Sequence, residues 1–277
     1  MLLKLISILA LILAAGICAA AGAFGALTWL WLLPVCFLGG FVALLVLFFV
    51  FFLLACYTTD SGKPQEHDSK FFRTMVMLII EAMVKVLRVR IHTKGLEKAP
   101  KNGRFLLVCN HTSDADPVVL MRCFPESQLA FISKRENSTM FVVGKVMPKL
   151  MCQLVNREND REALKTILKC IQLIKDDEVS VAVFPEGYIH DDRKLHHFRH
   201  GVFKIATKTN VPIVVCTLKN SLQILENLPK LKPSDVHMHL LDVIMPEQYE
   251  GMNTVEIGEM IYQMMADDLG PELVAQE

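Results

Sequence analysis

The segment from Asn110 to Pro117, which reads NHTSDADP, carries the residue types that proton transfer requires. A histidine with an ordinary pKa of about 6.5 can take a proton from a hydroxyl group near neutral pH. A carboxylate bonded to the other ring nitrogen fixes the tautomer and stabilises the imidazolium ion. Residues five apart on one helix point to different faces, so His111 and Asp116 can pair only where the chain turns. The segment therefore indicates a general base and its partner at a corner.

The flanking residues predict such a corner. Phe105 to Cys109 is a short apolar run typical of a buried strand, and Val118 to Met121 can open a helix. Pro117 suits the first helical turn and disfavours the α region at the residue before it. We therefore predict that Asp116 is the N-cap of a helix and that His111 lies in the preceding turn.

Two other interpretations of the same segment stay open at this point. Asp116 can serve only as a helix cap, and Ser113 with Asp116 also matches the spacing of a capping box. Asp114 is closer to His111 in sequence and is an alternative partner for the imidazole. Residues elsewhere in the chain have to decide between these interpretations.

The composition excludes some classes of protein. The 277 residues are 52% hydrophobic and only 21% charged, more apolar than one soluble domain normally is. The 29 basic and 29 acidic side chains cancel, so the basic surface of a nucleic-acid-binding protein is not expected. The eight cysteines form no CxxC pair, and we interpret them as small hydrophobic residues in a reducing compartment.

Much of the apolar excess lies at the N-terminus. No charged side chain occurs between Leu5 and Thr58, a length sufficient for two membrane segments that break near residues 22–25. The first is Leu5 to Ala21, and the second is Cys36 to Cys56, whose 21 residues would cross a hydrocarbon core about 30 Å thick. The sequence therefore predicts a hydrophobic helical hairpin.

Basic residues predict the orientation of this hairpin. Lys4 precedes the first segment, and the connection between the segments is uncharged, whereas three basic residues follow the second: Lys63, Lys70 and Arg73. The positive-inside rule then places both ends in the cytoplasm. A cleaved signal peptide is the alternative, with a basic start at residues 1–4 and a cleavage site at residues 19–21. It conflicts with the reducing compartment that the cysteines indicate.

We predict three parts in the chain: membrane-anchoring helices over residues 1–58, a polar linker over 59–70, and an α/β domain over 71–277. The domain opens with an amphipathic helix, Phe71 to Leu87, that lies either on the membrane surface or against the domain. Strand-like and helix-like segments then alternate, which predicts a single mixed, largely parallel sheet flanked by helices. The expected strands are 87–93, 105–109, 129–133, 153–155, 179–184, 211–218 and 236–244.

Charged residues follow three of these strands. Glu186 follows the run that begins at Val181, Lys134 follows the strand that begins at Leu129, and Arg157 ends a third apolar run. Each of these residues alone is typical of a charged side chain exposed to solvent. Open α/β sheets bind ligands at the carboxyl ends of their strands, so together these residues predict a polar rim shared with His111.

At this point the chain resembles the glycerolipid acyltransferases, typified by 1-acylglycerol-3-phosphate acyltransferase. The resemblance covers roughly Val89 to Leu218 and rests on motifs in the family's order. The NHxxxxD block is matched first, a second block follows, the FPEG core of the third is present, and a fourth is recognisable. In this chain they are Asn110-His111 with Asp116, Lys134 through Gly144 to Arg157, Phe184-Pro185-Glu186-Gly187, and Val211-Pro212-Ile213.

The resemblance implies a membrane-bound enzyme of phospholipid biosynthesis. Its reaction moves a fatty acyl group from acyl-CoA or acyl carrier protein to the sn-2 hydroxyl of 1-acylglycerol-3-phosphate, giving phosphatidic acid on the cytoplasmic face. No cofactor or metal is implied beyond the acyl thioester, and membrane lipids are the expected surroundings. By resemblance, His111 with Asp116 is catalytic and Lys134 contacts the oxyanion or the donor. Three residues are assigned to acceptor binding: Arg157, Glu186 and Gly187.

The third block departs from the family pattern. The family usually continues Gly-Thr-Arg-Ser, and its arginine is implicated in acceptor binding, but Gly187 is followed here by Tyr188, Ile189 and His190. Arg193 or Arg199 can take the place of that arginine. Otherwise the acceptor differs, for instance glycerol 3-phosphate or another lysophospholipid.

The stretch after Ile189 also contains a histidine and aspartate cluster, with His196 and His200 at helical metal-ligand spacing. This cluster supports an alternative function, a metal-dependent phosphoester hydrolase. A catalytically silent lipid-binding protein is a third possibility, which an intact His111 and Asp116 pair argues against. Because the stretch is also rich in Lys and Arg, we expect a mobile, solvated loop without metal.

Overall fold

The computed structural model describes residues 1–58, 65–156 and 159–276. These residues form two compact units. One contains the N-terminal helices with residues 78–83, and the other contains the described residues of 65–77 and 84–276. Each unit is described separately below.

The N-terminal unit is built on two helices, α1 (Leu2–Ala20) and α2 (Trp29–Thr58). They are the helices among the described residues that are long and apolar enough to cross a membrane, with mean hydropathies of 2.5 and 3.0. Gly22, with φ of 63°, ends α1 in the left-handed conformation that favours glycine, and the turn Ala23–Gly25 follows. The predicted helical hairpin is therefore present, although α2 begins before the predicted second segment and runs through Pro34.

Helix α3 (Lys70–Val86) follows the predicted linker, of which residues 59–64 lie outside the described part of the chain. Seven strands within the described residues then form one sheet in the order β1-β7-β6-β2-β5-β3-β4. The strands are β1 (Val89–Lys94), β2 (Leu106–Cys109), β3 (Leu129–Lys134), β4 (Gln153–Val155), β5 (Ser180–Val183), β6 (Ile213–Lys219) and β7 (Ser234–Ile244).

All neighbouring strands in this sheet are parallel except β6 and β7. Strands β2 and β5 are buried along their whole length, as expected for parallel strands covered on both faces. The longer flanking helices are α4 (Asp116–Cys123), α6 (Asp160–Lys175) and α10 (Thr254–Leu269); the shorter are α5 (Val143–Val146), α7 (Lys204–Thr209), α8 (Gln223–Asn227) and α9 (Pro246–Tyr249). The predicted single, mixed and largely parallel sheet flanked by helices is confirmed.

The topology positions the site because β2 lies between β5 and β6. The carboxyl ends of β2, β5 and β3 therefore meet at one edge of the sheet, and the residues that follow them are neighbours. Asn159 caps α6, because its amide oxygen accepts the free N–H groups of Arg161 and Glu162 in the first turn.

A buried ion pair fixes the start of α3 on the sheet unit. The Arg73 guanidinium donates to both carboxylate oxygens of Asp68, at 2.7 and 2.6 Å. It also donates to the carbonyl oxygens of Leu129, at 3.1 Å, and Leu150, at 3.3 Å. Because Arg73 and Asp68 are both buried, each compensates a charge that would otherwise be costly.

We predict that Arg73→Ala lowers the free energy of unfolding by about 3–5 kcal/mol, because it leaves the Asp68 carboxylate buried without its partner. Thermal unfolding of the detergent-solubilised protein measures the effect. Arg122→Ala is the matched control, because Arg122 is exposed in the last turn of α4. A loss for Arg73→Ala no larger than that for Arg122→Ala would contradict the prediction.

Candidate active site

His111 and Asp116 meet at the corner between β2 and α4. The Nδ1 atom of His111 lies 2.9 Å from Oδ2 of Asp116, and the carboxylate is completely buried. The His111 side chain keeps 14% of its surface exposed. Nε2 of His111 has no hydrogen-bond partner among the described residues, so it is the ring nitrogen available to a bound substrate. Asp114, the alternative partner, is exposed and makes no such bond.

The same Asp116 oxygen organises the corner. Oδ2 also accepts the backbone N–H groups of Thr112, at 2.8 Å, and Ser113, at 2.9 Å. The N-cap of α4 is Ala115 and has no side-chain cap bond, so the predictions of Asp116 as N-cap and of a capping box are wrong. The reason is that the carboxylate turns back to N–H groups before the helix. Within the described residues Oδ1 of Asp116 is buried without a partner.

Asn110 attaches the corner to the neighbouring strand β6. Its side-chain amide donates to the carbonyl oxygen of Leu218, at 3.0 Å, and accepts from the Leu218 N–H, at 2.7 Å. The amide thus continues the pairing of β2 with β6 by one residue. The hydroxyl groups of Thr112 and Ser221 lie 3.0 Å apart and form a second link. The sequence marked Asn110 as part of a motif but gave no sign of this partner.

The third block provides a stacking surface and a second carboxylate. The rings of His111 and Phe184 are stacked, with centroids 4.1 Å apart and an interplanar angle of 12°. Glu186 is only 2% exposed, and its carboxylate accepts the backbone N–H groups of His111, at 2.7 Å, and His196, at 3.0 Å. This geometry gives Glu186 a role in holding two loops together, and its predicted contact with the acceptor stays a prediction.

Gly187 forms the turn after Glu186. Its φ of 90° is left-handed, and a Cβ atom there would lie 3.0 Å from the Arg199 side chain. The Gly187 N–H donates to the carbonyl oxygen of Phe184. Gly187 thus allows the chain to turn close to Arg199, and its contact with an acceptor stays a prediction.

The two predicted cations are placed differently. Lys134 is the last residue of β3 and is exposed. Strand β3 lies two strands away from β2 in the sheet, a separation of about 10 Å. The structure therefore places it on the same edge as His111, without direct contact. Arg157 lies outside the described residues, so its predicted role in acceptor binding stays a prediction.

The stretch after Gly187 is anchored to the domain at two buried side chains, and its predicted mobility stays a prediction. Leu195 and Phe198 are buried, and Leu195 exchanges backbone hydrogen bonds with Leu273 and Ala275 near the C-terminus. These contacts fix the loop because two apolar residues anchor an otherwise polar sequence. In the part of the chain that the structure describes, no group of three or more His, Cys, Asp or Glu residues could hold a metal ion.

The histidines of this loop have other partners. His196 lies 2.9 and 3.0 Å from the two Asp192 oxygens, and this bond lowers the pKa of Asp192. The rings of His190 and His196 stack with centroids 3.5 Å apart. Partial burial lowers the pKa of His190. His200 contacts Glu259, at 3.2 Å.

The corner and its supports, apart from Ser221, lie within a region shared with known proteins. Residues 90–219 match the acyltransferase family. A probable 1-acyl-sn-glycerol-3-phosphate acyltransferase of Mycoplasma pneumoniae is 28% identical over 64% of this chain and 65% of its own length. A 1-acyl-sn-glycerol-3-phosphate acyltransferase of Borreliella burgdorferi is 25% identical over 66% of this chain and 74% of its own. The chain is thus similar to the acyltransferase family over residues 90–219, just under half of its length.

A solved structure supports the fold of this chain. The 1-acyl-sn-glycerophosphate acyltransferase from Thermotoga maritima superposes with a TM-score of 0.59, covering 80% of this chain and 87% of the other, at 22% sequence identity. The resemblance carried by the four sequence blocks is thus confirmed at the level of family and fold. His111 and Asp116, the FPEG block and Lys134 all fall inside the matched region.

Burial raises the pKa of Glu186 to about 8, against the two backbone hydrogen bonds that lower it. Between pH 4.5, the ordinary pKa, and pH 8, Glu186 in the folded protein therefore keeps a proton that it has lost in the unfolded chain. The contribution of Glu186 to the free energy of unfolding accordingly falls as pH rises through this window.

We predict that Glu186→Gln flattens this part of the pH dependence, because glutamine does not titrate. Unfolding of both proteins in detergent, measured between pH 5 and 8.5, should show the variant gaining stability relative to wild type as pH rises. Its absolute stability at low pH should be lower, because the two N–H groups bond to different oxygens of Glu186 and the glutamine NH2 group, which replaces one of them, cannot accept. Parallel curves for the two proteins would show that Glu186 does not titrate in this range.

Proposed function

We propose that this acyltransferase moves a fatty acyl group from acyl-CoA or acyl carrier protein to the sn-2 hydroxyl of 1-acyl-sn-glycerol 3-phosphate. The product is phosphatidic acid, a step of phospholipid biosynthesis. The observation that carries the proposal is the 2.9 Å contact of His111 with Asp116, which leaves Nε2 directed away from its carboxylate partner. The names of the relatives support the choice of acceptor.

The proposed step needs a base for a weakly nucleophilic hydroxyl. Nε2 of His111 takes the hydroxyl proton as the oxygen attacks the thioester carbonyl carbon, and Asp116 stabilises the imidazolium ion that forms. The C–S bond then breaks, and the departing thiolate takes the proton from His111. An ester and a free thiol result, without a covalent acyl-enzyme or a cofactor besides the thioester.

The attack also creates an oxyanion that needs a donor. Three backbone N–H groups at the corner are already engaged: that of His111 with Glu186, and those of Thr112 and Ser113 with Asp116. Lys134 is exposed at the same sheet edge and has no ion-pair partner among the described residues. We therefore assign Lys134 to the oxyanion or to the acyl donor, and Arg157 to the acceptor.

The proposed site of action is the cytoplasmic face of a membrane. Two apolar helices support anchoring, and the basic residues at their ends support the orientation. All eight cysteines are free, which is consistent with a reducing compartment. Membrane lipids then surround the anchor, and the lysophospholipid acceptor reaches the domain from the bilayer.

The decisive experiment incubates purified enzyme with oleoyl-CoA and 1-oleoyl lysophosphatidic acid and measures phosphatidic acid by mass spectrometry. We predict turnover by wild type and a loss of at least about 10²–10⁴-fold for His111→Ala. His237→Ala, which alters an exposed histidine on β7, is the matched control and should keep wild-type activity. Absence of phosphatidic acid with both oleoyl-CoA and oleoyl-acyl carrier protein would overturn the proposal.

One observation favours a second candidate, an acyltransferase with another acceptor. Ile189 occupies the position where the family usually has an arginine. The same assay should therefore include glycerol 3-phosphate and lysophosphatidylcholine. Faster turnover of either one would replace the proposed acceptor and leave the proposed chemistry intact.

Asp116→Asn tests the partner of the base. An asparagine oxygen can still accept the N–H groups of Thr112 and Ser113, so we expect the fold to persist. The neutral amide cannot stabilise the imidazolium ion, and kcat should fall by about 10²–10⁴-fold with little change in KM. Steady-state kinetics and the unfolding temperature provide the two measurements. A kcat close to that of wild type would show that Asp116 only shapes the corner.

A further inference from the structure

Arg193 contacts the catalytic corner from the packed loop. Its Nη1 atom donates to the carbonyl oxygen of Thr112, at 3.1 Å, and Thr112 directly follows His111. Arg193 is exposed, and its guanidinium has no carboxylate within ion-pair distance among the described residues. A guanidinium carries five N–H donors, so this contact leaves most of them available.

The backbone holds Arg193 in this position. Its N–H donates to the carbonyl oxygen of His190, at 3.0 Å, which closes a tight turn. Arg193 has a φ of 57°, in the left-handed region that is uncommon for residues other than glycine. Such a conformation persists only where the surroundings enforce it, and the buried Leu195 and the bond from the His196 N–H to Glu186 do so here.

The chemistry of the acceptor requires an anion site close to His111. In 1-acyl-sn-glycerol 3-phosphate, the hydroxyl that reacts and the oxygen that bears phosphate are on adjacent carbons. A phosphate must therefore lie a few bonds from the proton that His111 removes. The phosphates of coenzyme A, in contrast, are separated from the thioester by the long pantetheine arm.

Other cations near the corner fit this site less well. The Arg199 side chain lies against Gly187 and over the ring of Tyr188, with its guanidinium carbon 6.0 Å from the ring centroid. Lys134 is two strands away from β2. The nearby Asp192 carboxylate is paired with His196, which reduces its repulsion of an anion.

We infer that Arg193 binds the phosphate group of the lysophospholipid acceptor and thereby holds its hydroxyl at His111. The inference rests on the proposed function, because it takes the acceptor class from there. A planar guanidinium can bind two phosphate oxygens at once. The contact with Thr112 would therefore fix both the position and the orientation of the guanidinium group. Arg193 is then a specificity residue, since acceptors without a phosphate at this position lose the bond.

The test compares Arg193→Ala, Arg193→Lys and the control Arg122→Ala with wild type in detergent micelles. Arg122 lies at the far end of α4, just before β3 begins and therefore at the opposite sheet edge from His111. We predict that Arg193→Ala raises KM for 1-oleoyl lysophosphatidic acid about 10- to 100-fold, which is the affinity lost with one charge-assisted hydrogen bond. KM for oleoyl-CoA should stay near wild type, Arg193→Lys should be intermediate, and Arg122→Ala should be unchanged.

A second measurement does not depend on turnover. Titration calorimetry with 1-oleoyl lysophosphatidic acid and with 1-oleoylglycerol, which lacks the phosphate, should show a preference in wild type that Arg193→Ala abolishes. Unfolding temperatures verify that each variant is folded. If Arg193→Ala does not fold, the comparison of Arg193→Lys with wild type decides whether Arg193 binds the phosphate.

The outcomes separate the two proposals. If wild type forms no phosphatidic acid, the proposed function fails, and the calorimetric preference alone decides the role of Arg193. If wild type is active and Arg193→Ala keeps its KM for lysophosphatidic acid, only the inference about Arg193 is overturned. A rise in KM for oleoyl-CoA instead would also overturn it, because Arg193 would then bind the donor.

Discussion

The structure of the site depends on one buried carboxylate. Asp116 is completely buried, and an ionised group in such a place is tolerated only when hydrogen bonds compensate its lost hydration. Its Oδ2 atom has three donors, namely the ring of His111 and the N–H groups of Thr112 and Ser113. These donors are available only while the chain between β2 and α4 keeps its turn. The orientation of the base and the shape of the corner therefore have one cause.

The neighbouring strands hold that corner from two sides. On one side the Asn110 amide pairs with the backbone of Leu218, and on the other the Glu186 carboxylate binds the N–H of His111. Phe184, on the same side as Glu186, stacks against the imidazole and limits its rotation. Because the parallel ladders of β2 with β5 and β6 fix these distances, the imidazole is positioned before any substrate binds.

The sequence was sufficient to predict the sheet, its strands and the proximity of His111 to Asp116, because these depend on local apolar runs and on Pro117. It was insufficient to predict the contacts that hold the corner between β2 and α4. Asn110 and Leu218 are 108 residues apart, so no local pattern could show that their groups pair. The solvated loop was predicted from its average polarity, whereas two buried side chains, Leu195 and Phe198, decide its packing.

The proposed base and the proposed acceptor contact rest on different parts of the chain. The groups that hold His111 and its corner follow β2 and β5 in the chain, and they are the carboxylates of Asp116 and Glu186, the Asn110 amide and the Phe184 ring. The side chain of Ile189 takes no part in these bonds. Arg193 touches the corner only at the carbonyl oxygen of Thr112, which the bonds to Asp116 and Glu186 do not use. Changes in this loop can therefore alter the anion that is recognised without moving the base, provided that Leu195 stays buried and the His196 N–H keeps its bond to Glu186.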